Sequence, residues 1–265
     1  MNFKILCSDL DGTLLSTKND VSEFTISQIN RIKHSTRIVL VSARMPKSIT
    51  YLQKRMGIEE NPIIAYNGAL ILDQDKVLSN SNIAISKILA LHALCENQNI
   101  RFGLYRHDDW FVSETSERVE KEIFNTKATP IFEPTMTTLE RWKKEDSGAH
   151  KLMLMGNKSN MDELEVILDK DYASEMNCYR SNDTLIEIAP KSSSKLAGIK
   201  TILRSNESLN DVIAFGDNYN DVEMLQSVGY GVAVANGRKE AKEAANKITL
   251  ANTQHGVAQF IQDHF

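Results

Sequence analysis

The chain has 265 residues, 42% of them hydrophobic and 25% charged, which is enough for one large or two medium domains with substantial cores. Its net charge of -4 gives no basic field, so nucleic acid is not an expected partner. No stretch approaches the roughly 20 apolar residues of a membrane-spanning helix. The cysteines Cys7, Cys95 and Cys178 have neither disulfide-framework nor metal-ligand spacing. We therefore expect a cytoplasmic protein with free thiols and no membrane partner.

The first 80 residues alternate β-branched runs with helical patterns. They predict strands over 4–8, 37–41 and 63–66, helices over 22–33 and 47–56, and a hairpin over 69–78. Such alternation is typical of a parallel sheet with helices on both faces. The sequence therefore predicts a doubly wound α/β core.

The middle of the chain follows a different order. A long helix over 85–98 is followed by short strands over 101–105 and 110–113 and a helix over 117–125. After an irregular stretch over 129–137 come a strand over 151–155, a helix over 161–168 and a strand over 185–189. From Ser194 onward the helix–strand alternation returns. We therefore predict an α+β unit over 82–190, inserted into a core formed by 1–81 and 191–265.

Two carboxylates, Asp9 and Asp11, follow the first predicted strand in the run Asp-Leu-Asp-Gly-Thr. Residues two apart leave a strand on the same side, so both carboxyls can face one substrate. An ordinary aspartate is ionised at neutral pH, so Asp9 can act as a nucleophile without a base, while Asp11 handles protons. Gly12 allows the backbone to turn. The alternative is an acidic β-turn in which these residues are ordinary turn formers.

Two more carboxylates follow a predicted strand over 211–215, in the run Gly-Asp-Asn-Tyr-Asn-Asp. If a helix starts here, Asp217 and Asp221 share one of its faces. Alternatively, Asp221 caps the predicted helix over 222–227. Four converging carboxylates repel one another, and a hard divalent cation would hold them ionised. Mg2+ fits best, since it binds oxygen ligands, commonly one or two carboxylates with phosphate and water.

Three polar side chains suit a phosphate group or a substrate. Ser42 follows the strand over 37–41, where a hydroxyl and backbone N–H groups can hold a phosphate oxygen; a turn hydroxyl is the alternative. The ammonium of Lys195 can reach back over the strand ends and balance phosphate charge, unless it is a solvated lysine at a helix start. For Asn67 a substrate contact and a backbone-capping role both remain open.

These motifs, taken in order, resemble the four motifs of the haloacid dehalogenase (HAD) superfamily, and more narrowly the Cof-type subfamily IIB sugar-phosphate phosphatases. The resemblance covers essentially the whole chain, because further segments match at 66–69, 180–181, 185–188 and 256–258. The sequence departs from the pattern in three places. Ser42-Ala43-Arg44 replaces the common Thr-Gly-Arg, no glycine precedes Lys195, and Asn236-Gly237 replaces the frequent Asn-Ala.

The resemblance implies a HAD-like Rossmannoid core with an inserted cap domain of the C2B type. It also implies a Mg2+-dependent phosphatase that acts through an aspartyl-phosphate on a small phosphorylated metabolite, with a sugar phosphate as the expected class. Asp9 would be the nucleophile and a Mg2+ ligand. Asp11 would be the acid/base and would bind the metal through its backbone carbonyl. Asp217 would be the second carboxylate ligand, with Asp221 supporting the metal site.

The resemblance also assigns a phosphate cradle. The backbone of Leu10 would hold the transferring phosphoryl group together with Ser42 and the adjacent Ala43, and Lys195 and Asn220 would complete the cradle. Two alternatives to a phosphatase remain. One is a phosphomutase resembling phosphomannomutase, which returns the phosphoryl group to a sugar. The other is a non-catalytic regulatory or binding protein that keeps the fold.

Overall fold

The computed structural model describes residues 3–17, 19–96 and 98–265, and the chain divides into two compact units. Unit 1 comprises Met1–Ser79 and Ser194–Phe265, and unit 2 comprises Asn80–Ser193. The predicted insertion over 82–190 is slightly shorter than unit 2 at both ends. That unit 2 acts as a cap domain stays a prediction.

The strands of the described residues form two sheets. They are β1 (Ile5–Ser8), β2 (Arg37–Val41), β3 (Ile63–Ala65), β4 (Leu70–Asp73), β5 (Lys76–Asn80), β6 (Arg101–Arg106), β7 (Asp109–Val112), β8 (Ile131–Phe132), β9 (Lys151–Met155), β10 (Met176–Asn182), β11 (Leu185–Pro190), β12 (Val212–Gly216), β13 (Tyr230–Val234) and β14 (Lys247–Thr249). One sheet has the order β14-β13-β12-β1-β2-β3-β4-β5, and the other has the order β10-β11-β9-β6-β7-β8.

Some of the helices begin or end at local signals in the sequence. They are α1 (Glu23–Ile32), α2 (Pro46–Met56), α3 (Ile85–Cys95), α4 (Glu117–Thr126), α5 (Thr135–Lys144), α6 (Lys158–Asp171), α7 (Lys195–Ile202), α8 (Val222–Ser227), α9 (Lys239–Ala244) and α10 (Gly256–His264). The hydroxyl of Ser22 accepts a hydrogen bond from the backbone N–H of Thr25 and caps α1. The hydroxyl of Ser194 accepts one from the backbone N–H of Ala197 and caps α7. Gly57, at φ 62°, ends α2. No helix within the described ranges is long and apolar enough to span a bilayer.

Unit 1 has the predicted doubly wound α/β architecture. Strands β14 to β3 run parallel in the sheet, and β4 pairs antiparallel with β3. The central strands are buried along nearly their whole length, as their apolar sequences require. Strands β12, β1 and β2 are neighbours, so the polar residues that follow them lie at one edge of the sheet.

Unit 2 is an α+β unit whose elements differ from prediction in two places. The stretch over 129–137, predicted to be irregular, forms β8 and the start of α5. Leu139 and Trp142 of α5 are fully buried, although the rest of the helix is largely polar. Strand β10 was not predicted, because it lies at the sheet edge and is mostly polar and only partly buried.

His150 is a fully buried residue of unit 2, and its ring makes two hydrogen bonds. Nδ1 accepts from the backbone N–H of His107 at 3.1 Å, so Nε2 carries the proton and donates to Oδ1 of Asn80 at 2.8 Å. Burial, followed by the positive charges of His107 and Arg106, lowers the pKa of His150 to about 3. The folded ring is therefore neutral at ordinary pH.

We expect unit 2 to lose stability as the pH falls from 7 to 5. In the unfolded chain the histidine has a pKa near 6.5 and binds a proton as the pH falls below that value, whereas folded His150 stays neutral down to about pH 3. The free energy of unfolding is therefore highest above pH 6.5 and falls as the pH decreases towards 3. The expected loss from His150 by pH 5 is about 2 kcal/mol. Urea unfolding followed by the fluorescence of Trp110 and Trp142, both in unit 2, measures it.

His150→Gln is the matched variant for this prediction, because glutamine keeps one donor and one acceptor but does not titrate. Its stability should depend less on pH than that of the parent chain. The same loss in both proteins between pH 7 and 5 would contradict the assignment to His150.

Candidate active site

The predicted site residues of unit 1 lie at the carboxyl ends of three neighbouring strands. Asp9 directly follows β1, and its backbone N–H donates to the carbonyl of Phe215 at 3.0 Å, which continues the pairing with β12. Ser42 follows β2, and Asp217 follows β12. Because parallel strands end at the same edge, residues from both ends of the chain meet here.

The loop after β1 makes a wide helical turn over Leu10–Leu14. Gly12 has a φ of 85°, a backbone conformation that residues other than glycine rarely adopt. A Cβ at this position would lie 2.6 Å from Oδ2 of Asp217. Thr13 Oγ1 donates to Oδ1 of Asp217 at 3.0 Å. The turn that follows Asp9 therefore packs directly against Asp217.

Lys195 bridges two buried carboxylates. Its Nζ lies 2.6 Å from Oδ1 of Asp9 and 2.6 Å from Oδ1 of Asp221, and its side chain is 1% exposed. Lys195 is the first residue of α7, held there by the Ser194 cap. Burial alone would lower the pKa of Lys195, but Asp221 and Asp9 raise it above the ordinary lysine value. The lysine is therefore charged and neutralises one of its two partners.

Asp221 shapes the loop after β12. Its Oδ2 accepts the backbone N–H groups of Asp217 at 2.9 Å and Asn218 at 3.0 Å. Helix α8 begins only at Val222, and the Asp221 side chain makes no capping hydrogen bond to it. Asp217 therefore lies in the loop rather than on a helix face shared with Asp221, and side-chain capping of α8 by Asp221 was also a wrong interpretation. The backbone turn, not helical periodicity, brings the two together.

Three carboxylates could hold a metal ion. One oxygen each from Asp9, Asp217 and Asp221 lies within 4.8 Å of the others. Oδ2 of Asp9 is buried without a hydrogen-bond partner among the described residues. Both oxygens of Asp221 already accept hydrogen bonds. Asp9 and Asp217 are therefore the better direct ligands, with Asp221 supporting them from behind.

The charge balance of this cluster also fits a divalent cation. When ionised, the three carboxylates outweigh the one ammonium of Lys195 by two charges. Burial raises the pKa of Asp9 well above its usual value; Lys195 opposes the rise, and Asp221 and Asp217 add to it. Burial and then Asp221 raise the pKa of Asp217 to about 6. A bound dication would favour the ionised forms of both, and oxygen-only ligands suit Mg2+.

The Asp11 carboxylate lies outside the cluster and pairs with Arg44. Nε and one terminal nitrogen of Arg44 donate to the two Asp11 oxygens, each at 2.7 Å. The arginine side chain is 4% exposed and that of Asp11 50% exposed, so a buried guanidinium holds a solvent-accessible acid. Arg44 is not among the predicted site residues, although its place after Ser42 in the second motif was an available signal.

The remaining predicted residues lie in loops that are bonded to one another. The carbonyl of Ser42 accepts the backbone N–H of Asn67 at 2.9 Å. Nδ2 of Asn220 donates to Oδ1 of Asn67 at 3.0 Å, while Oδ1 of Asn220 is buried without a partner among the described residues. Leu10 is buried and Ala43 half-buried in the loops after β1 and β2. Phosphate binding by these residues stays a prediction.

Two further side chains brace the site and are absent from the predicted set. Asn236, after β13, donates from Nδ2 to the carbonyl of Gly12 at 2.8 Å, and its Oδ1 accepts the backbone N–H of Asn252. Thr13, the last residue of the first motif, fixes Asp217 as described. Both residues lie in segments that match or are compared with the family pattern, but the sequence does not show their partners, Asp217 and Gly12, which lie more than 200 positions away.

Comparison with known families places this site in context. The sequence model of the haloacid dehalogenase-like hydrolase family matches residues 6–261 of this chain. The chain therefore belongs to the haloacid dehalogenase-like hydrolase family. This confirms the resemblance predicted from the motifs, and with it the Rossmann-like core of unit 1.

The relatives of the chain are named as phosphatases. It is 29% identical over 272 residues to a putative phosphatase of Haemophilus influenzae, covering 100% of this chain and 99% of the relative. It is 27% identical over 274 residues to the pyridoxal phosphate phosphatase YbhA of Escherichia coli, with coverage of 100% and 99%. These names support the predicted enzyme class, a phosphoric monoester hydrolase.

Solved structures share the fold over the full length of the chain. A haloacid dehalogenase-like hydrolase from Bacteroides thetaiotaomicron aligns with a TM-score of 0.89 at 25% identity, covering 99% of this chain and 100% of that one. The HAD subclass IIB sugar phosphatase BT4131 aligns with a TM-score of 0.81 at 22% identity, with 98% of both chains covered. The second likeness extends to the fold alone.

Proposed function

We propose that this protein is a Mg2+-dependent phosphatase that hydrolyses a small phosphorylated metabolite through an aspartyl-phosphate, with a sugar phosphate as the expected class of substrate. The main support for this proposal is the environment of the two carboxylate oxygens of Asp9. Lys195 holds one of its carboxylate oxygens, and the other is buried with no partner among the described residues. A buried carboxylate oxygen without a partner is costly unless a cation or a reacting group meets it. The phosphatase names of full-length relatives support the same class.

In the first step, an oxygen of Asp9 forms a bond to the substrate phosphorus while the bond from phosphorus to the ester oxygen breaks. Asp11 takes up a proton from solvent as it leaves Arg44 and gives that proton to the leaving oxygen. The ammonium of Lys195 stays beside Asp9 and opposes the negative charge that develops on the phosphoryl group. Mg2+, held by Asp9 and Asp217, would supply further charge neutralisation.

In the second step, Asp11 takes a proton from water as the water oxygen attacks the phosphorus of the aspartyl-phosphate. The bond between phosphorus and Asp9 breaks, inorganic phosphate leaves, and Asp11 releases its proton to solvent, so both aspartates return to their starting states. Arg44 is a positioning residue in this scheme, because its two hydrogen bonds determine where the Asp11 carboxylate starts.

The test is a screen of phosphorylated metabolites with the purified chain and Mg2+, in which release of inorganic phosphate is measured. The panel should include sugar phosphates and pyridoxal phosphate. We expect sustained phosphate release from at least one compound. Conversion of one sugar phosphate into another without phosphate release would identify a phosphomutase. Binding without any turnover would favour a regulatory protein.

Gly12→Ala is expected to reduce phosphatase activity at least about tenfold, because the new methyl group would displace Asp217, and small errors in position are costly in catalysis. The positive φ adds a folding cost of about 1 kcal/mol. The rate with one substrate and the urea midpoint measure the two effects.

Gly57→Ala is the matched control for Gly12→Ala. Gly57 has a φ of 62°, and a Cβ there would meet only the flexible Nζ of Lys33, at 2.9 Å. It should show a similar stability loss with full activity. If Gly12→Ala were as active as Gly57→Ala, the contact between this turn and Asp217 would not matter for catalysis.

A further inference from the structure

We infer that unit 2 contains a second binding site, a cationic cavity that takes an organic phosphate, separate from the residues of the proposed phosphatase site. The cavity has a volume of about 580 Å³, within the range of small-molecule sites. It lies where β9 ends and β6 begins, beside the turn between β10 and β11 and the first turn of α4. All of its lining residues belong to unit 2.

The charges that line the cavity favour an anion. Arg101, Arg118 and Lys121 line it against a single acidic residue, Glu117. Arg101 is paired with Glu114, which lies outside the lining. Arg118 and Lys121 are the other two cations of the lining, and Glu117 is the one carboxylate of the lining that opposes them.

Arg118 and Lys121 make no hydrogen bond or ion pair with any described residue. Nε of Arg118 is buried despite this. Arg118 does act on Glu187 over a longer distance: burial raises the pKa of Glu187, but Lys151, Ser181 and lastly Arg118 lower it overall. Glu187 is already bonded to Lys151 and Ser181, so it does not complete the guanidinium. The terminal nitrogens of Arg118 donate to no described residue, so they remain available to the oxygens of a ligand.

The neutral polar residues of the cavity also present donors. Oδ1 of Asn157 accepts the backbone N–H of Asn160, and Oδ1 of Asn182 accepts the backbone N–H of Thr184, both at 2.9 Å. Their acceptor atoms are thus engaged within the protein, and their amide N–H groups remain for a ligand. A ligand that meets two cations and two amide donors must be rich in acceptor oxygens, as a phosphate ester is.

The ends of two helices strengthen this preference. Helix α4, ten residues long, and helix α6, fourteen residues long, both begin at the cavity, at the caps Ser116 and Asn157. Helix N-termini carry partial positive charge and favour anions. The volume is several times that of inorganic phosphate alone, so the organic part of the ligand would occupy the rest.

The cavity is remote from the point where the chain leaves unit 2. Thr184, in its lining, precedes β11, whereas the exit to unit 1 follows Pro190 at the other end of that strand. Six residues of strand span about 17 Å between their first and last Cα atoms. We assign the cavity to a regulatory ligand, because none of its lining residues belongs to the proposed phosphatase site.

The test is an NMR titration of the full chain, labelled with 15N, with fructose 1,6-bisphosphate as the probe. The Asp9→Asn chain is used so that the probe is not consumed. We expect saturable shifts of the backbone amides of residues 116–121, 157 and 182–184, and none of these shifts with uncharged fructose. Absence of shifts in these amides at saturating probe would overturn the proposal.

Three variants decide whether the cavity charges are responsible. Arg118→Met with Lys121→Met should weaken binding at these amides at least tenfold. Lys143→Met with Lys144→Met removes the same charge from an exposed part of α5 and should leave it unchanged. Glu117→Gln removes the opposing carboxylate and should tighten binding a few-fold, a gain that misfolding cannot imitate. Equal weakening in the two double variants, or weaker binding by Glu117→Gln, would overturn the proposal.

Discussion

Asp9→Asn is expected to abolish phosphate release while preserving the fold. The amide has nearly the shape of the carboxylate and can still present its oxygen to the ammonium of Lys195. The amide of asparagine is not a nucleophile. Asp221, the other carboxylate beside Lys195, cannot replace Asp9, because both of its oxygens already accept hydrogen bonds. Loss of the nucleophile in covalent catalysis removes the reaction path, so we expect the rate to fall by at least about a thousandfold.

The matched control is Asp75→Asn, the same change at an exposed position in the turn between β4 and β5. Both variants should have the circular dichroism spectrum and urea midpoint of a folded chain, and Asp75→Asn should keep full activity. Mass spectrometry of freshly purified protein excludes deamidation. Substantial turnover by intact Asp9→Asn would show that Asp9 is not the nucleophile.

Replacing Mg2+ with Ca2+ is expected to preserve metal binding but remove most of the activity. In the proposed mechanism, Asp9 binds the metal with one oxygen and attacks the phosphorus with the other. Mg2+ enforces six ligands at about 2.0 to 2.1 Å, whereas Ca2+ accepts six to eight at about 2.3 to 2.6 Å and tolerates bidentate carboxylates. Ca2+ would therefore engage both oxygens of Asp9 or displace the phosphate, and a displacement of about 1 Å can cost on the order of a hundredfold in rate.

Metal-stripped protein with one substrate provides the measurement. Turnover should require Mg2+, and Ca2+ should inhibit it competitively while supporting little hydrolysis alone. Equal rates with the two ions would contradict the requirement for a free Asp9 oxygen. Full activity with a chelator and no added metal would contradict the metal site as a whole.

The sequence predicted those features that are encoded in short stretches. Strand β2 was predicted with its observed bounds, because five consecutive residues at 37–41 are suited to a buried strand. The helix predicted over 47–56 likewise starts within one residue of the observed α2 and ends at the same residue. The convergence of Asp9 and Asp217 followed from general sheet geometry, since polar residues after neighbouring parallel strands must meet.

Features that depend on distant partners were not predicted. The pairing of Asp11 with Arg44 joins residues 33 apart, and nothing in either motif shows which way the guanidinium turns. Helix α5 is mostly polar, so its burial of Trp142 depends on a surface formed by other elements. The side chain of Asp221 bonds backwards to its own loop instead of capping α8, a choice that the backbone of that loop determines.

The position of β1 between β2 and β12 has a consequence for synthesis on the ribosome. Every residue of unit 2 is made before β12, so unit 2 can fold while one side of β1 still has unpaired backbone groups. At roughly 5 to 20 residues per second, the stretch from Ser193 to Asp217 takes on the order of a few seconds to translate. During that interval the nascent chain presents an open apolar edge at β1. Asp9 gains Lys195 and Asp217 only after all of unit 2 has been made, so this cluster of charged side chains forms late in translation.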